Sequence, residues 1–389
     1  MRGSKTGSRA CVLWGVVVER KKIRLAVLFG GRSGEHEVSL MSAASVIEAA
    51  DKSKYEIIPI GIDKSGRWLI GGDPMAHLSN GALMLNTPQS TQASTLISEV
   101  MLPLAPSREG TLCLEGRVID VVFPVLHGTY GEDGTVQGLL EMVNVPYVGA
   151  GVAGSAVGMD KALMKSLFRD AGLPILDFVV MKSKDLDNDP DACVRRVENR
   201  LGYPCFVKPA NGGSSVGVSK VNQRDGLLPA LELAAHYDTK IVIEAAAVEA
   251  REIEVSVLGN DNPTASVPGE IIPSREFYDY GAKYKDANSQ LIIPARLSAE
   301  CTRRLREMAL TAFQACEASG LARVDFFVHR SSEAIWLNEI NTMPGFTSVS
   351  MYPKLWEATG LSYSALIDRL VELALERFAE KSRLKTSYE

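Results

Sequence analysis

The 389-residue chain lacks any apolar run near the roughly 20 residues a membrane-spanning helix needs, so nothing in it predicts insertion into a bilayer. Cysteine is sparse: Cys11, Cys113, Cys193, Cys205, Cys301 and Cys316 are scattered, with no CxxC pair. That spacing offers neither a disulfide framework nor a thiolate zinc site, and it predicts reduced thiols and a cytoplasmic setting. Excess positive charge is missing too. Forty-two basic against forty-seven acidic residues give a net charge of −5, which speaks against nucleic-acid binding. No GxxxxGK[ST] occurs, which excludes a P-loop. One GxGxxG is present, from Gly149 through Gly151 to Gly154. The strand before it, residues 145–148, is short, and the acid at the usual spacing, Asp170, falls inside a helical pattern, so a dinucleotide is disfavoured.

What remains is an ordinary globular composition, 46% hydrophobic and 23% charged, with enough chain for two or three domains. Residues 1–22 differ from the rest. Their apolar core, residues 11–18, is short for a secretory signal and no small-residue cleavage site follows, so they read as a loose extension.

The richest stretch is residues 321–352. Two runs of extended character, 322–328 and 334–341, flank the polar break HRSS and predict a β-hairpin. With its turn centred on Ser332, Arg323 faces Asn341 and Asp325 faces Glu339. Side chains alternate with a period of two, so these four share one face, while Ala322, Val324, Phe326, Leu337 and Ile340 lie on or near the other. Two carboxylates and an amide oxygen are the hard ligands Mg²⁺ prefers, with phosphate and water completing its octahedron. A salt-bridged exposed face is the alternative. The following loop, NTMPGFTSVS, is rich in hydroxyls and backbone donors and favours a ligand site.

Along the chain, residues 23–29 (IRLAVLF) read as a parallel strand buried on both faces, running into a glycine turn, Glu35, and a helix over 38–50. Glu35 at this anion-friendly place suits an ammonium group, or caps the helix dipole. Residues 55–63 are a second strand, 75–116 an insertion, and 118–125 another buried strand ending in LHGTYGEDG, a ligand-crevice loop. His127 there is either a ligand-side group or a satisfied structural histidine. A helix over 161–170 opens at Asp160 and Lys161, and strands follow at 175–181 and 203–208. Lys208 precedes ANGGSSVG, whose backbone N–H groups with Ser214 and Ser215 can close over a triphosphate, and Lys161 strengthens the phosphate reading. Further strands are expected at 241–244, at 251–258 with one wet face, and at 269–272 and 290–293. The aromatic, charged loop between the last two, 274–286, reads as a lid. Long helices are expected over 297–319 and 361–378.

A lysine before a Gly/Ser hairpin, then Glu244, Arg323-x-Asp325 and Glu339-x-Asn341-x-x-Pro-Gly345 resembles the ATP-grasp superfamily. GGRSGEHEVSL, LHGTYGEDGTVQG, KPANGGSSVG, REIEVSVLGN, FYDYGAKY, RVDFF and NEINTMPGFTSVS, in that order, resemble the D-alanine:D-alanine ligase family from residue 23 to the C-terminus. The resemblance implies an α/β fold of three-domain ATP-grasp architecture: an N-terminal parallel-sheet, pre-ATP-grasp domain (23–148), a central subdomain (149–246) and a C-terminal subdomain with hairpin and lid (247–389).

It also implies ATP held by Lys161, Lys208 and Ser215 at its phosphates, Glu244 at the adenine edge, Glu252 at the ribose and Lys283 at the γ-phosphate. Asp325, Glu339 and Asn341 would bind two Mg²⁺ or Mn²⁺. The first D-alanine would meet Glu35 at its ammonium, with His127 nearby, and would be activated as an acyl phosphate. The second would present its carboxylate to Ser350 and the Met351 backbone, while Arg323 and the Gly345 N–H stabilise the oxyanion. Ser214, Tyr284 and Glu35 would form a hydrogen-bonded relay. A homodimer with no nucleic-acid or membrane partner is implied. The chain departs from the family at Ala245 and Ala246, where relatives more often carry a lysine and a bulkier residue, in a segment one residue longer. A D-alanyl-D-lactate ligase is the alternative, disfavoured by Tyr284, and a non-catalytic ATP-binding protein is a second, disfavoured by the intact Arg323, Asp325, Glu339, Asn341 and Lys208.

Overall fold

The computed structural model describes residues 22–83, 97–99, 110–114, 116–272, 290–385 and 388. The expected N-terminal extension and the lid loop with Lys283 and Tyr284 therefore lie outside the described residues. Three sheets organise the rest.

In the first, Ile23–Gly30 pairs in parallel with Tyr55–Ile62 on one side and Val121–Pro124 on the other, and two short strands, Trp68–Ile70 and Ser98–Glu99, extend it antiparallel. Leu25 to Phe29 are buried without a break, which is why the sequence there is continuously apolar. The single strand expected over 118–125 is two. Arg117–Ile119 turns aside into a small hairpin with Leu112–Leu114, and Val121–Pro124 enters the sheet. The division falls at Asp120, whose carboxylate accepts the backbone N–H of Arg24 at 2.8 Å and its guanidinium at 2.5 and 2.9 Å, holding the chain out of register. Helix His36–Ala49 packs on this sheet, and the C-terminal helix Tyr363–Lys381 adds Leu366, Leu370 and Val371 to the same core.

The second sheet is antiparallel, with spatial order Ser219–Val221, Cys205–Pro209, Lys240–Ala245, Phe178–Lys182. Its last strand begins at Phe178, not at the expected Ile175. Pro174 and Ile175 instead reach across to Leu337 of the C-terminal hairpin, whose N–H donates to Pro174 O at 2.8 Å.

The third sheet runs Gln290–Ile292, Gly269–Ile272, Ala250–Gly259, Gly320–His329, Ile335–Asn341, with Thr264–Ala265 on the flank of Ala250–Gly259. The wet face expected on Ala250–Gly259 is not found, since Ile253 to Gly259 are all buried. Helix Ala299–Ala315, shorter than expected and capped by Ser298, covers Ile253, Val255 and Val257 with Leu305 and Phe313. The polar face is covered as well: Glu254 lies against Arg323, and Ser256 donates to Tyr352 O at 3.3 Å. Alternation here marks a polar interior rather than solvent. Helix Met351–Thr359 has no counterpart in the sequence reading, and its Pro353 sits in the first turn, where proline is tolerated. Lys161–Asp170 places Met164 and Phe168 in the core of this third sheet, so its polar edge faces the gap between the second and third sheets. Among the described residues no helix is long and apolar enough to cross a membrane.

Candidate active site

The hairpin has the register expected from alternation near its base: Arg323 pairs with Asn341 and Asp325 with Glu339. Beyond them a bulge shifts the register, so that Phe326 meets Leu337 and Asn338 is the extra residue. This explains how Leu337 and Ile340, an odd number apart, are both buried in the core. The turn consequently centres between Ser331 and Ser332, with His329 N–H donating to Ala334 O at 2.9 Å.

Arg323 forks onto Asp325, Nε to Oδ1 and Nη2 to Oδ2 at 2.7 Å each, and its Nε also lies 3.0 Å from Glu254 Oε2. Burial opposes its charge, but Asp325, Glu254 and Glu339 outweigh this and hold the guanidinium well above its usual value. Asn341 Nδ2 donates to Asp325 Oδ2 at 3.0 Å, and Glu339 Oε2 stands 3.8 Å from Lys161 Nζ. As a donor set, two carboxylates and an amide on one face fit a hard divalent cation that takes its other ligands from phosphate and water. Among the described residues no cluster of three or more His, Cys, Asp or Glu exists that would suit an all-protein metal cage.

Across the gap, Lys208 Nζ donates to Glu244 Oε2 at 2.7 Å, and Lys165 Nζ lies 3.3 Å from Glu244 Oε1. Lys165 and Glu244 are 1% and 2% exposed, so this is a buried triad of two cations and one anion. Burial pushes the Glu244 carboxyl up, yet the two lysines outweigh it and the net shift is down. Burial wins at Lys165, whose ammonium is pulled below its usual value, and loses at Lys208, which is held above it by Glu244 and Glu339. Glu244, expected at the adenine edge, thus spends its carboxylate on two lysines. Lys165 was missed by sequence reasoning. Its Nζ also donates to the carbonyl of the bulge residue Asn338 at 3.2 Å, which ties the helix of Lys161 to the strand of Glu339.

Lys161 donates to Gly212 O at 2.7 Å and so anchors the serine loop. In that loop Ser214 and Ser215 both adopt positive φ, +47° and +58°, and the Ser214 hydroxyl donates to Glu35 Oε1. A Cβ on Gly213 would come within 2.3 Å of Glu35 Oε2, so glycine is what lets the loop close on this carboxylate. Glu35 is the N-cap residue of helix His36–Ala49 but makes no side-chain capping bond to it, so its carboxylate stands at the positive end of the helix with its oxygens directed to the serine loop. His127 has both ring nitrogens engaged, by Met343 O and Ser42 Oγ at 3.0 Å each, and burial pulls its pKa down. It is the satisfied histidine of the two readings. Ser350 Oγ accepts the Thr347 N–H at 3.0 Å beside Gly345, where a Cβ would lie 2.8 Å from that oxygen.

Every expected site residue among the described ones, Ser215, Glu252 and Met351 included, lines a single cavity of about 820 Å³. Glu132, inside the loop read as a ligand crevice, and Glu254 line it too, and neither was assigned a role from sequence. The nearest sequence signal for Glu254 is the polar alternation of REIEV, which by itself predicts a solvent face.

Two family profiles match the chain: "D-ala D-ala ligase N-terminus" over residues 24–150 and "D-ala D-ala ligase C-terminus" over residues 167–372. A D-alanine--D-alanine ligase of Heliobacterium modesticaldum is 50% identical over 367 residues, 94% of this chain and 98% of that protein. Among solved structures, the D-alanine-D-alanine ligase from Coxiella burnetii superposes with a TM-score of 0.78 at 37% identity, covering 93% of this chain and 96% of that one. The VanG D-Ala:D-Ser ligase from Enterococcus faecalis superposes with a TM-score of 0.78 at 38% identity, covering 91% and 100%. With near-complete coverage at half identity, and both halves matched by profile, the chain belongs to the D-alanine–D-alanine ligase family.

Proposed function

We propose that the protein joins two D-alanine molecules into D-alanyl-D-alanine with cleavage of ATP to ADP and phosphate, supplying a peptidoglycan precursor. The observation that carries this is the meeting, in one cavity, of the Glu35 carboxylate, the Lys161 and Lys208 ammonium groups and the Arg323–Asp325–Glu339–Asn341 face. In this reading the three sheets belong to three domains, 23–148, 149–246 and 247–389, and the substrates lie where they meet.

A carboxylate oxygen is a poor leaving group and phosphate a good one, so the acid of the first D-alanine is activated as D-alanyl phosphate before the second amine attacks. Glu35 holds the first ammonium and Ser214 holds Glu35, so the serine loop and the ammonium site are tied to one carboxylate. Lys161 and Lys208 orient the phosphates, with Ser215 at the loop tip and Lys165 and Glu244 behind Lys208. Glu252 is placed at the ribose, Lys283 at the γ-phosphate. Asp325, Glu339 and Asn341 would hold two Mg²⁺ or Mn²⁺ ions, which when bound neutralise charge on the transferred phosphoryl group. Arg323 and the Gly345 N–H face the oxygen that gains charge as the amine adds, and Ser350 with Met351 N–H takes the second carboxylate. Tyr284 joins Ser214 and Glu35 in the relay that accepts a proton from the incoming amine. We place the enzyme in the cytoplasm as a homodimer.

The test is ADP release with Mg-ATP and D-alanine, L-alanine, D-lactate or no addition, with the product weighed by mass spectrometry. Turnover with D-alanine alone, giving the dipeptide, is expected. Preference for D-lactate near neutral pH would make the product an ester, and ATP binding without turnover on any of them would move the substrate assignment. Size-exclusion chromatography with light scattering checks the dimer.

A further inference from the structure

The turn that carries Gly345 is gripped by side chains from the other side of the cavity. Met343 O accepts from His127 Nδ1 at 3.0 Å. A carbonyl only accepts, so Nδ1 carries the proton and Nε2 accepts from the Ser42 hydroxyl at 3.0 Å. The same Ser42 oxygen accepts the Phe346 N–H at 3.2 Å. Met343 N–H donates to Glu132 Oε1 at 3.3 Å, while Glu132 Oε2 accepts the Gly128 N–H at 2.7 Å. Glu132 is further fixed by its own N–H, which donates to Gly128 O at 2.9 Å.

Gly128 is the neighbour of Glu35: it sits at φ +74°, and a Cβ on it would lie 2.6 Å from Glu35 Oε2. One carboxylate therefore spans from the loop beside the ammonium-binding group to the turn that presents the Gly345 N–H. Among the described residues no lysine or arginine forms an ion pair with Glu132, and burial followed by the nearby Glu35 charge pushes its carboxyl up to about 8. Glu132 is half-buried at the cavity wall and held by two backbone donors, and an apolar side chain there would avoid the desolvation cost of a carboxyl. Its two acceptor oxygens, pointing at two loops, are what an apolar residue cannot supply.

We propose that Glu132 is a positioning residue for the ligation, a strut that fixes the Met343–Gly345 turn, and with it the Gly345 N–H, at a set distance from the Glu35 pocket. The proposal rests on the D-alanine ligase reading for what the Gly345 N–H does. It rests on geometry alone for how the turn is held.

Glu132→Gln keeps the shape and removes one acceptor, so one of Met343 N–H and Gly128 N–H faces an amide N–H and loses its bond. Expected are a fall in kcat of about 10- to 100-fold, as for a small misplacement of a catalytic group, and a KM for ATP within about twofold of wild type. Glu132→Asp keeps the carboxyl group but is one methylene too short to span both loops, and a comparable fall is expected. A merely structural residue would instead move kcat, both KM values and the melting temperature together. The readout independent of turnover is hydrogen exchange in the peptide covering residues 341–347 without substrates, where Glu132→Gln is expected to exchange at least about tenfold faster, the loss corresponding to one hydrogen bond. Unchanged exchange, or a folded variant keeping kcat within about threefold, would overturn the proposal. Should Glu132→Gln not fold, Glu132→Asp carries both readouts. Faster exchange in a protein whose wild type does not turn over D-alanine would uphold the strut and refute the substrate reading, so the two failures are distinguishable.

Discussion

Replacing Glu244 by glutamine tests how the nucleotide side of the cavity is held together. The substitution keeps the side chain's shape and deletes one charge, leaving the ammonium groups that stand 2.7 and 3.3 Å from its two oxygens with no counterion between them. At an effective dielectric near 20, each attraction is roughly 5–6 kcal/mol before desolvation is subtracted. Desolvation removes most of that, but removing one partner from a buried pair typically costs about 3–5 kcal/mol, because the surviving charges stay buried. At an unfolding entropy of about 2.1 cal/mol/K per residue, a chain of 389 residues shifts by roughly 1.2 °C per kcal/mol, so the melting temperature should fall by roughly 4–6 °C. Two further outcomes separate charge from shape. Tripolyphosphate, which brings its own negative charge to Lys208, should raise the melting temperature of Glu244→Gln more than that of wild type. Adding Lys165→Met should recover at least half of the loss, since it removes the excess cation. The pH dependence follows from the lowered Glu244 pKa. A carboxyl depressed in the folded state contributes fully above its unfolded value and loses that contribution as pH falls through the folded one. Wild type should therefore destabilise on acidification below about pH 4.5 more steeply than Glu244→Gln. Scanning fluorimetry reads all of this, and a drop under about 2 °C, or a double variant no more stable than the single one, would refute the account of the triad.

Arg323→Lys replaces a fork making two 2.7 Å bonds with a single ammonium, and kcat should fall about 100-fold or more with little change in the KM for ATP; steady-state kinetics checks it. Glu254 is the second carboxylate on Arg323, at 3.0 Å, so it can hold the guanidinium when Asp325 is needed elsewhere. Glu254→Gln should raise the Mg²⁺ concentration required for half-maximal binding of a fluorescent ATP analogue several-fold, and an unchanged titration would count against this sharing. Gly213→Ala puts a Cβ 2.3 Å from Glu35 Oε2, so the serine loop must back away; at about 1–3 kcal/mol for such overpacking, the KM of the first D-alanine should rise about tenfold. His127 is held neutral below its usual 6.5 by burial, so its contribution to stability is full above that pH and erodes below it, and His127→Gln should melt with a shallower dependence on acid.

The hairpin face was legible because alternation is a strict rule that needs no tertiary information. Once two extended runs and a turn were placed, Arg323, Asp325, Glu339 and Asn341 had to share a side. The same holds for Ile23–Gly30, where a continuous apolar run leaves little but a strand buried on both faces, and for Asp160 at the start of its helix, where the side chain accepts from Ala162 and Leu163 N–H. In each case the deciding interactions are local or periodic. Motif order added the ligand chemistry, because Lys208 before a Gly/Ser loop and Glu35 after a glycine turn are individually ambiguous and become specific only together.

Lys165 and Glu254 were not legible, and Glu132 was legible only as part of a ligand-crevice loop and not in its role, for a shared reason. Each is a charged residue whose place is decided by a partner far along the chain: Lys165 by Asn338 and Glu244, Glu132 by Met343, Glu254 by Arg323. Sequence pattern assigns a charged residue to solvent by default, since burying one without a partner is costly. The default fails where a second chain segment brings the partner, and a cavity formed between three sheets is where such segments converge. The wet face assigned to Ala250–Gly259 failed in the same way: the alternation was real, but Arg323 and Tyr352 replaced water as the neighbours of Glu254 and Ser256. A charged residue at a regular strand or helix position inside a chain already suspected of binding a charged ligand therefore has two readings, exposed or site-facing. The burial of its polar atoms against long-range partners decides between them, and that is the quantity a single sequence does not contain.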